Sequence, residues 1–297
     1  MKIFIANDSK QGLGGGWSFI SNFIRGAQGL AEFVDTIRDC DVVFIPASSM
    51  VRAETLDLAK ALNKPVFLRV DNVPRNSRNR NTGTSRLLSY FEAAKGVIFQ
   101  SRWATQFVGE WLAWNCKKTG PTQTIIYNGV DTEIFNPGGP KESDQRGVYL
   151  YSRINRDETK NWHVTWYEYQ LIHRKWEESD KETAPPELWL TGQFSPELVE
   201  YNFDFFQGEV VRYFGAIEDQ RQYANILRSA SYLLAPYYND ACSNSIIEAL
   251  ACGVGVETFG WGHTGGTPEL FKLNEEGFDW SHRRMAKEYI DFMQRYA

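Results

Sequence analysis

The 297-residue sequence lacks most of the features that mark metal-binding, secreted and membrane-spanning proteins. Its four cysteines and four histidines are scattered, with no CxxC pair and no His–Cys cluster, which argues against a zinc site and a disulfide framework. No apolar run is long enough to cross a bilayer, and the opening residues, MKIFIAND, lack the apolar core of a signal peptide. We therefore expect reduced cysteines and a cytoplasmic protein without a transmembrane segment.

The balance of charge excludes another group of functions. The formal net charge is −5, so the whole chain is not expected to have broad electrostatic affinity for nucleic acid or for anionic membranes. Hydrophobic residues make up 42% and charged residues 23%, as in soluble globular proteins. Aromatic residues reach 14%, with 10 Trp, and such a surplus builds thick cores or lines pockets for sugars and bases.

Ten short apolar runs alternate with amphipathic helical patterns, which is typical of parallel sheets covered by helices on both faces. The predicted strands are KIFIA, DVVFIPA, KPVFLRVD, GVIFQS, QTIIYNGVD, VYLYSR, ELWLTG, VVRYFGAI, SYLLAPY and VGVETFG. A polar segment rich in Gly and Pro, NPGGPKESDQRG, separates the first five from the last five. The predicted class is α/β, with two Rossmann-like doubly wound domains, residues 1–140 and 141–281, facing a ligand-binding cleft. The C-terminal helix, 282–297, is expected to join the first domain.

The first candidate motif is GLGGGWSF, between the first strand and the first helix. Glycines let a backbone approach a phosphate closely, and a helix N-terminus offers unpaired N–H groups to it. The pattern is not a clean GxGxxG, which argues against a dinucleotide site. A tight strand-to-helix turn explains the same glycines, so both interpretations stay open.

The second candidate motif is YSRINRDETKNWH, in which Arg153 and Lys160 follow a predicted strand. Two cations at this point could neutralise a diphosphate leaving group, where charge develops during glycosyl transfer. Taken alone, the motif is explained equally well by an ordinary charged loop.

The third candidate motif is DACSNSIIEALACG. Asp240 follows the predicted strand SYLLAPY. A polar run then lies at the expected N-terminus of a helix, and Glu248 lies on the first turns of that helix. Carboxylates accept hydrogen bonds from the vicinal hydroxyls of a sugar or a ribose. Helix capping by Ser243 or Asn244 accounts for one polar residue, but it does not account for both acids and the polar run together.

Two of these stretches, IIYNGVDTEIFNP and APYYNDACSNSIIEALACGVGVE, resemble the retaining GT-B glycosyltransferases of the family 4 type. That family has an NGVD…F.P stretch at the end of its first domain and an acid-x7-acid motif followed by EA-A-G-PV, and the resemblance covers most of the chain in order. It implies that a sugar moves from a nucleotide diphosphate sugar to a hydroxyl acceptor with retention of anomeric configuration. It implies no tightly bound cofactor, and because cations are available to neutralise the diphosphate, we expect that no metal is required.

The resemblance also assigns roles to residues. Glu248 would bind the ribose of the donor, and Asp240, where the family usually has Glu, would lie near the transferred sugar. Arg153 and Lys160 would bind the diphosphate, with Arg156 as an alternative to Arg153 because the spacing is longer than usual. The other implied donor-binding residues are three glycines under the phosphates, one residue beside the nucleobase and four around the sugar: Gly14, Gly15, Gly16, Ile217, Cys242, Ser243, Asn244 and Ser245. The first domain has no His near the sugar, where many relatives carry one, and Ser48 and Ser49 occupy about that place.

The fourth candidate motif is the basic stretch RVDNVPRNSRNRNTGTSR in the first domain, the acceptor side of this architecture. Guanidinium groups interleaved with Asn suit phosphates or a nucleic-acid backbone. The acceptor could therefore be anionic: a glycan, a lipid-linked molecule or nucleic acid with a modified base. The candidate acceptor-binding residues are Asp71, Arg75, Arg78 and Arg80, and Arg69 and Arg86 are placed in the same loop. A solvated basic loop is the alternative, and the nearby Trp103, Trp111 and Trp114 are expected to lie in the core.

Two other classes of function remain open. A nucleotide-sugar epimerase of the same fold would convert the donor sugar without an acceptor, and would be expected to carry His or further acids in the first domain. A non-catalytic module would bind a sugar or nucleic acid without turnover.

Overall fold

The computed structural model describes residues 1–7, 15–71, 80–116, 120–144, 147–154, 160–192, 210–260 and 265–297, and only the backbone at 80–84 and 153–154. These residues form two compact units: unit 1 is residues 1–131 with 276–297, and unit 2 is residues 132–275. Each unit is built on its own parallel sheet. The predicted α/β class with two parallel-sheet domains is thereby confirmed.

Unit 1 contains a six-stranded sheet in the order β2-β1-β3-β4-β5-β6. Its strands are β1 (Lys2–Ile5), β2 (Glu32–Phe33), β3 (Val42–Ile45), β4 (Val66–Val70), β5 (Gly96–Phe99) and β6 (Thr122–Ile125). Its helices are α1 (Gly15–Gly26), α2 (Ala53–Ala61), α3 (Arg80–Ala93), α4 (Arg102–Ala104), α5 (Glu110–Asn115) and α10 (His282–Tyr296). A π-helical segment, Thr105–Gly109, connects α4 to α5, and 3₁₀ turns lie at Ile37–Asp39 and Ser48–Met50. The two-residue strand β2 was not predicted.

The core of unit 1 is an aromatic cluster between α1, α10 and the sheet. The ring centroid of Phe23 lies 5.2 Å from that of Phe44 on β3 and 5.6 Å from that of Tyr289 on α10. Phe19 on α1 lies 5.4 Å from Tyr289. Tilted rings at these distances combine apolar burial with favourable edge-to-face contact. The C-terminal helix is therefore part of the core of unit 1.

The close packing of α1 against α10 can be tested at Gly26. A Cβ built on Gly26 would overlap the backbone oxygen of His282, which cannot move aside as a flexible side chain can. We expect Gly26→Ala to lower the free energy of unfolding by about 1–3 kcal/mol, measured by urea denaturation. The matched control is Gly120→Ala, whose Cβ would find its nearest neighbour at 4.0 Å. Equal destabilisation by the two substitutions would contradict this packing.

The NGVD stretch, residues 128–131, has structural roles at the carboxyl edge of the unit 1 sheet. Asn128 accepts a hydrogen bond from Arg69 at 3.3 Å and donates one to Gln100 at 3.0 Å. Asp131 accepts from the Arg25 guanidinium at 3.1 Å. Arg69 lies within β4, only 2% exposed, with its guanidinium 3.8 Å from the ring centroid of Phe19. The placement of Arg69 in the basic loop is therefore wrong, because the residue lies within a strand, where neutral acceptors and an aromatic face hold its charge inside the unit.

Unit 2 contains a five-stranded parallel sheet in the order β11-β10-β7-β8-β9. Its strands are β7 (Val148–Ile154), β8 (Glu187–Gly192), β9 (Val211–Tyr213), β10 (Tyr232–Leu234) and β11 (Gly255–Glu257). Its helices are α6 (Trp162–Glu177), α7 (Gln220–Ser229), α8 (Asn244–Ala251) and α9 (Thr267–Glu275). Helix α9 was not predicted. Among the helices of the described residues, none combines the length and the apolar character that crossing a membrane requires.

Candidate functional site

The candidate site lies at the carboxyl ends of β7 and β10, which are neighbours in the unit 2 sheet. The chain runs from β7 towards Lys160 and from β10 to Asp240. In parallel α/β sheets, ligands bind at this edge. The topology thus brings together two predicted site residues that are 80 positions apart in the sequence.

Lys160 and Asp240 form an ion pair. The Lys160 Nζ donates to Asp240 Oδ2 at 2.9 Å, and each side chain is 17% exposed. The same Nζ lies 3.9 Å from the ring centroid of Tyr237, which is a cation–π contact. Because water is partly excluded, the attraction between these charges is stronger than in an exposed pair. The site therefore holds a cation in a fixed position close to the surface.

The backbone around Lys160 is held on both sides. Asn161, the N-cap residue of α6, adopts a left-handed conformation with φ 51°, which Asn tolerates better than most residues do. Its side-chain amide donates to the carbonyl of Pro236 at 2.6 Å. The Tyr151 hydroxyl donates to the Lys160 carbonyl at 2.8 Å. These bonds tie the N-terminus of α6 to the strands that carry the site.

Asp240 is held by both its side chain and its backbone. Its Oδ1 accepts from the Cys242 N–H at 3.2 Å, as in an Asx-turn, which leaves Oδ2 for Lys160. Its carbonyl accepts from the Gly266 N–H at 2.8 Å. Gly265 has φ +73°, and a Cβ there would overlap the Asp240 carbonyl oxygen. Glycine at 265 is therefore required for this close approach.

Helix α8 begins directly after this turn, with Ser243 as its N-cap residue. The Ser243 side chain makes no capping bond; its hydroxyl lies 3.0 Å from the Ser245 hydroxyl, which donates to the Tyr237 hydroxyl at 3.2 Å. Ser243 is therefore the N-cap residue by position, but a side-chain capping bond does not account for it. The partial positive charge at the start of α8 favours an anionic or hydroxyl-rich ligand beside Asp240.

Glu248 lies in the second turn of α8 and is fully buried. Burial raises the pKa of the neighbouring Cys252 thiol to about 12, while the Arg228 guanidinium acts to lower this pKa and Glu248 acts to raise it. Glu248 and Arg228 thus lie within electrostatic reach of the same thiol. A buried carboxylate is retained only where charged or hydrogen-bonding partners compensate its lost hydration.

The difference in burial among the four cysteines gives a chemical test of the packing around Cys252 in unit 2. Cys40, Cys242 and Cys252 are buried, whereas Cys116 is half-buried. We expect iodoacetamide at pH 8 to modify Cys116 first and to leave Cys252 unmodified, measured by peptide mass spectrometry after short pulses. Equal rates of modification at Cys116 and Cys252 would contradict the packing around α8.

The Cys252 thiol also makes stability depend on pH. Because its folded-state pKa lies above the ordinary 9.0, the contribution of the neutral thiol to the free energy of unfolding is full below about pH 9 and falls as the pH rises towards 12.

The other predicted site residues are placed as follows. Gly15 and Gly16 form the first turn of α1, so the helix begins within the glycine run that was predicted to be a loop. Asp71 is half-buried directly after β4, and Ile217 is half-buried after β9. Several predicted site residues lie outside the described residues or have side chains that are not described: Gly14, Arg75, Arg78, Arg80, Arg153 and Arg156.

Sequence reasoning missed two residues that shape the site. Tyr237 lies under the Lys160 ammonium, and Asn161 fixes the backbone next to it. The signal for Asn161 was a helix-capping residue type directly before a helical pattern. The signal for Tyr237 was an aromatic pair, PYY, between a strand and an acidic residue.

Comparisons with known proteins identify the fold of the chain. No protein-family model and no curated protein matches the chain. HepE of Anabaena, solved with UDP and glucose, is 12% identical, with a TM-score of 0.63 over 97% of this chain and 94% of HepE. Sucrose-phosphate synthase of Thermosynechococcus elongatus is 12% identical, with a TM-score of 0.64 over 98% and 94%. The lipopolysaccharide outer core galactosyltransferase WaaB is 13% identical, with a TM-score of 0.59 over 99% and 100%. The chain has the GT-B fold of these glycosyltransferases.

Proposed function

We propose that this protein is a retaining glycosyltransferase that moves a sugar from a nucleotide diphosphate sugar to a hydroxyl acceptor. The observation that carries the proposal is the Lys160–Asp240 pair at the start of α8, with Glu248 buried one turn further on, in a chain of the GT-B fold. The likeness to HepE solved with UDP-glucose supports a nucleotide sugar as the donor.

The donor would bind to the C-terminal domain, residues 141–281. Glu248 would accept hydrogen bonds from the ribose hydroxyls, and Asp240 would contact the transferred sugar. The backbone N–H groups of residues 243–245 would bind sugar hydroxyls at the start of α8, whereas the Cys242 N–H is already donated to Asp240 Oδ1. Ile217, after β9, would flank the nucleobase.

The chemistry needs stabilisation of the departing diphosphate. The bond between the anomeric carbon and the phosphate oxygen breaks, the acceptor oxygen bonds to the same face of that carbon, and the acceptor proton passes to the departing phosphate oxygen. Lys160 and Arg153 would neutralise the charge that develops on the diphosphate. Because Asp240 and Tyr237 already hold the Lys160 ammonium, little reorganisation is needed when the donor arrives.

The acceptor would bind to the N-terminal domain, residues 1–140 with 282–297. Asp71 would contact the acceptor beside β4, and Arg75, Arg78 and Arg80 would favour an anionic molecule such as a charged glycan, a lipid-linked acceptor or nucleic acid.

The N-terminal domain would also contribute to donor binding. The glycines 14–16, before and within the first turn of α1, would face the donor phosphates.

The proposal is tested by incubating the protein with nucleoside diphosphate sugars and hydroxyl acceptors and recording proton NMR spectra. We expect a new glycoside with the anomeric configuration of the donor, formed equally well in EDTA because the site supplies its own cations. Inversion of configuration would exclude the retaining mechanism. Conversion of the donor sugar without an acceptor would identify an epimerase instead, and binding without turnover would identify a non-catalytic module.

A further inference from the structure

Left-handed backbone conformations gather at one edge of the unit 2 sheet. Among the described residues, five residues other than glycine have a positive φ. Three of them follow β7, β10 and β11, which are consecutive in the sheet: Asn161 at φ 51°, Asn239 at φ 52° and Phe259 at φ 50°. Such conformations are unfavourable for residues that carry a side chain, and they cluster at functional sites. This strain lies at the same edge as Lys160 and Asp240.

Asn239 lies between two residues that contact the same ammonium group. The Lys160 Nζ lies 3.9 Å from the ring centroid of Tyr237 and donates to Asp240 Oδ2 at 2.9 Å. Tyr237 and Asp240 are three residues apart, and in an extended strand side chains at this spacing point to opposite faces. The chain must therefore turn between them so that both reach one nitrogen atom.

The backbone is anchored on both sides of this turn. The Pro236 carbonyl accepts a hydrogen bond from the side-chain amide of Asn161 at 2.6 Å. The Asp240 carbonyl accepts one from the Gly266 N–H at 2.8 Å. Of the residues between these anchors, Asn239 has the left-handed conformation that makes the turn. The direction of the Asp240 side chain therefore depends on the backbone of Asn239.

We propose that Asn239 is a positioning residue, whose left-handed backbone brings the Asp240 carboxylate and the Tyr237 ring together around the Lys160 ammonium. Asn suits this role because it adopts the left-handed conformation more readily than other residues with a side chain do. A β-branched residue at 239 would leave this conformation, and the carboxylate would move away from Lys160 Nζ. The consequence for sugar transfer rests on the proposed function, whereas the position of the ammonium group does not.

Three variants test the proposal: Asn239→Val, Asn239→Gly and Asn63→Val. Valine opposes a positive φ, whereas glycine adopts it freely. Asn63 is the matched control, because it has the same φ of 52° but is exposed in unit 1, two residues after α2. Valine therefore introduces the same kind of backbone strain at both positions. Only a positioning role for Asn239 predicts different effects on Lys160.

The first measurement does not depend on activity. An aromatic ring shifts the proton NMR signal of an ammonium group held over it to higher field, and the Lys160 signal is identified by its disappearance in Lys160→Arg. We expect Asn239→Val to lose this shift. Asn239→Gly and Asn63→Val should keep the wild-type signal.

The second measurement is kcat for sugar transfer. We expect Asn239→Val to lower kcat by about 10- to 100-fold, because a displacement of about 1 Å in a catalytic group can cost that much. The KM for the donor should change less than kcat. Asn239→Gly and Asn63→Val should stay close to the wild-type kcat. Melting temperatures show that each variant is folded.

Three results would overturn the proposal. The first is a wild-type spectrum without a shifted Lys160 signal, and the second is a folded Asn239→Val protein that keeps the wild-type signal. The third is a loss of the signal in Asn239→Gly or Asn63→Val equal to that in Asn239→Val. If Asn239→Val does not fold, Asn239→Ala, which lacks the β-branch, takes its place under the same criteria. Wild-type protein without sugar transfer would overturn the proposed function alone, because the ammonium signal still reports the position of Lys160.

Discussion

Replacing Lys160 with alanine is expected to lower kcat for sugar transfer by a factor of about 10² to 10³, the usual effect of removing one preorganised group from a developing charge. Lys160 is held 2.9 Å from Asp240 and over the ring of Tyr237, so its position is fixed before the donor binds. The effect should fall mainly on kcat, because the charge on the diphosphate grows as the glycosidic bond breaks. Steady-state kinetics with saturating donor measure it.

Controls separate this role from simple loss of structure. Lys160→Ala leaves Asp240 without its partner, so the melting temperature must be recorded beside the rate. Lys160→Arg keeps the charge and should retain more activity than alanine. Lys175→Ala removes an exposed lysine from the last turn of the same helix and should change neither quantity. A folded Lys160→Ala protein with wild-type kcat would remove Lys160 from the mechanism.

Replacing Glu248 with glutamine is expected to weaken the affinity for a nucleoside diphosphate by about 10- to 100-fold. The substitution preserves the size of the side chain and removes the charge that strengthens hydrogen bonds from the ribose hydroxyls; such charge-assisted bonds contribute about 1.5–3 kcal/mol each. Glu248 is fully buried in α8, so it can be a strong acceptor where water does not compete. Isothermal titration calorimetry measures the affinity.

A purely structural role for Glu248 predicts a different pattern. The carboxylate acts on Cys252 together with Arg228, so it could serve only to balance that guanidinium. In that case Glu248→Gln would lower the melting temperature and leave the nucleotide Kd unchanged, which would contradict the ribose assignment. Glu177→Gln, at the exposed end of α6, is the matched control and should alter neither quantity.

Most of the fold was predictable because the buried parallel strands are short apolar runs. The ten predicted strands are all present, and only β2, two residues long, lacked a pattern long enough to detect. Helix α9 was missed because its nine residues, TPELFKLNE, are short and mostly polar. Alternation of the two element types was sufficient to predict the α/β class and the two parallel sheets.

The candidate site was predictable in its residue types but not in its contacts. Asp240 and Lys160 could be proposed singly, but their pairing depends on β7 and β10 being neighbours, which sequence spacing does not reveal. Tyr237 was missed because it is the last residue of the predicted strand SYLLAPY, where an aromatic side chain is explained equally well by burial in the core.

Two errors have the same physical origin. Arg69 was placed in the basic loop with the other arginines, yet Pro46, Gln100 and Asn128 supply the acceptors that let it remain inside unit 1. Trp111 and Trp114 were placed in the core because they are apolar, yet they point to solvent. Residue type gives only an average preference for burial, and the exceptions mark unusual environments.

Calorimetric titration with UDP, GDP, ADP and their glucose conjugates tests whether unit 2 binds a nucleotide diphosphate sugar. We predict that the nucleotide of one base binds at micromolar Kd in the absence of acceptor, that its sugar conjugate binds as well, and that Glu248→Gln weakens both. If folded wild-type protein bound none of these nucleotides, unit 2 would not be a nucleotide-sugar site.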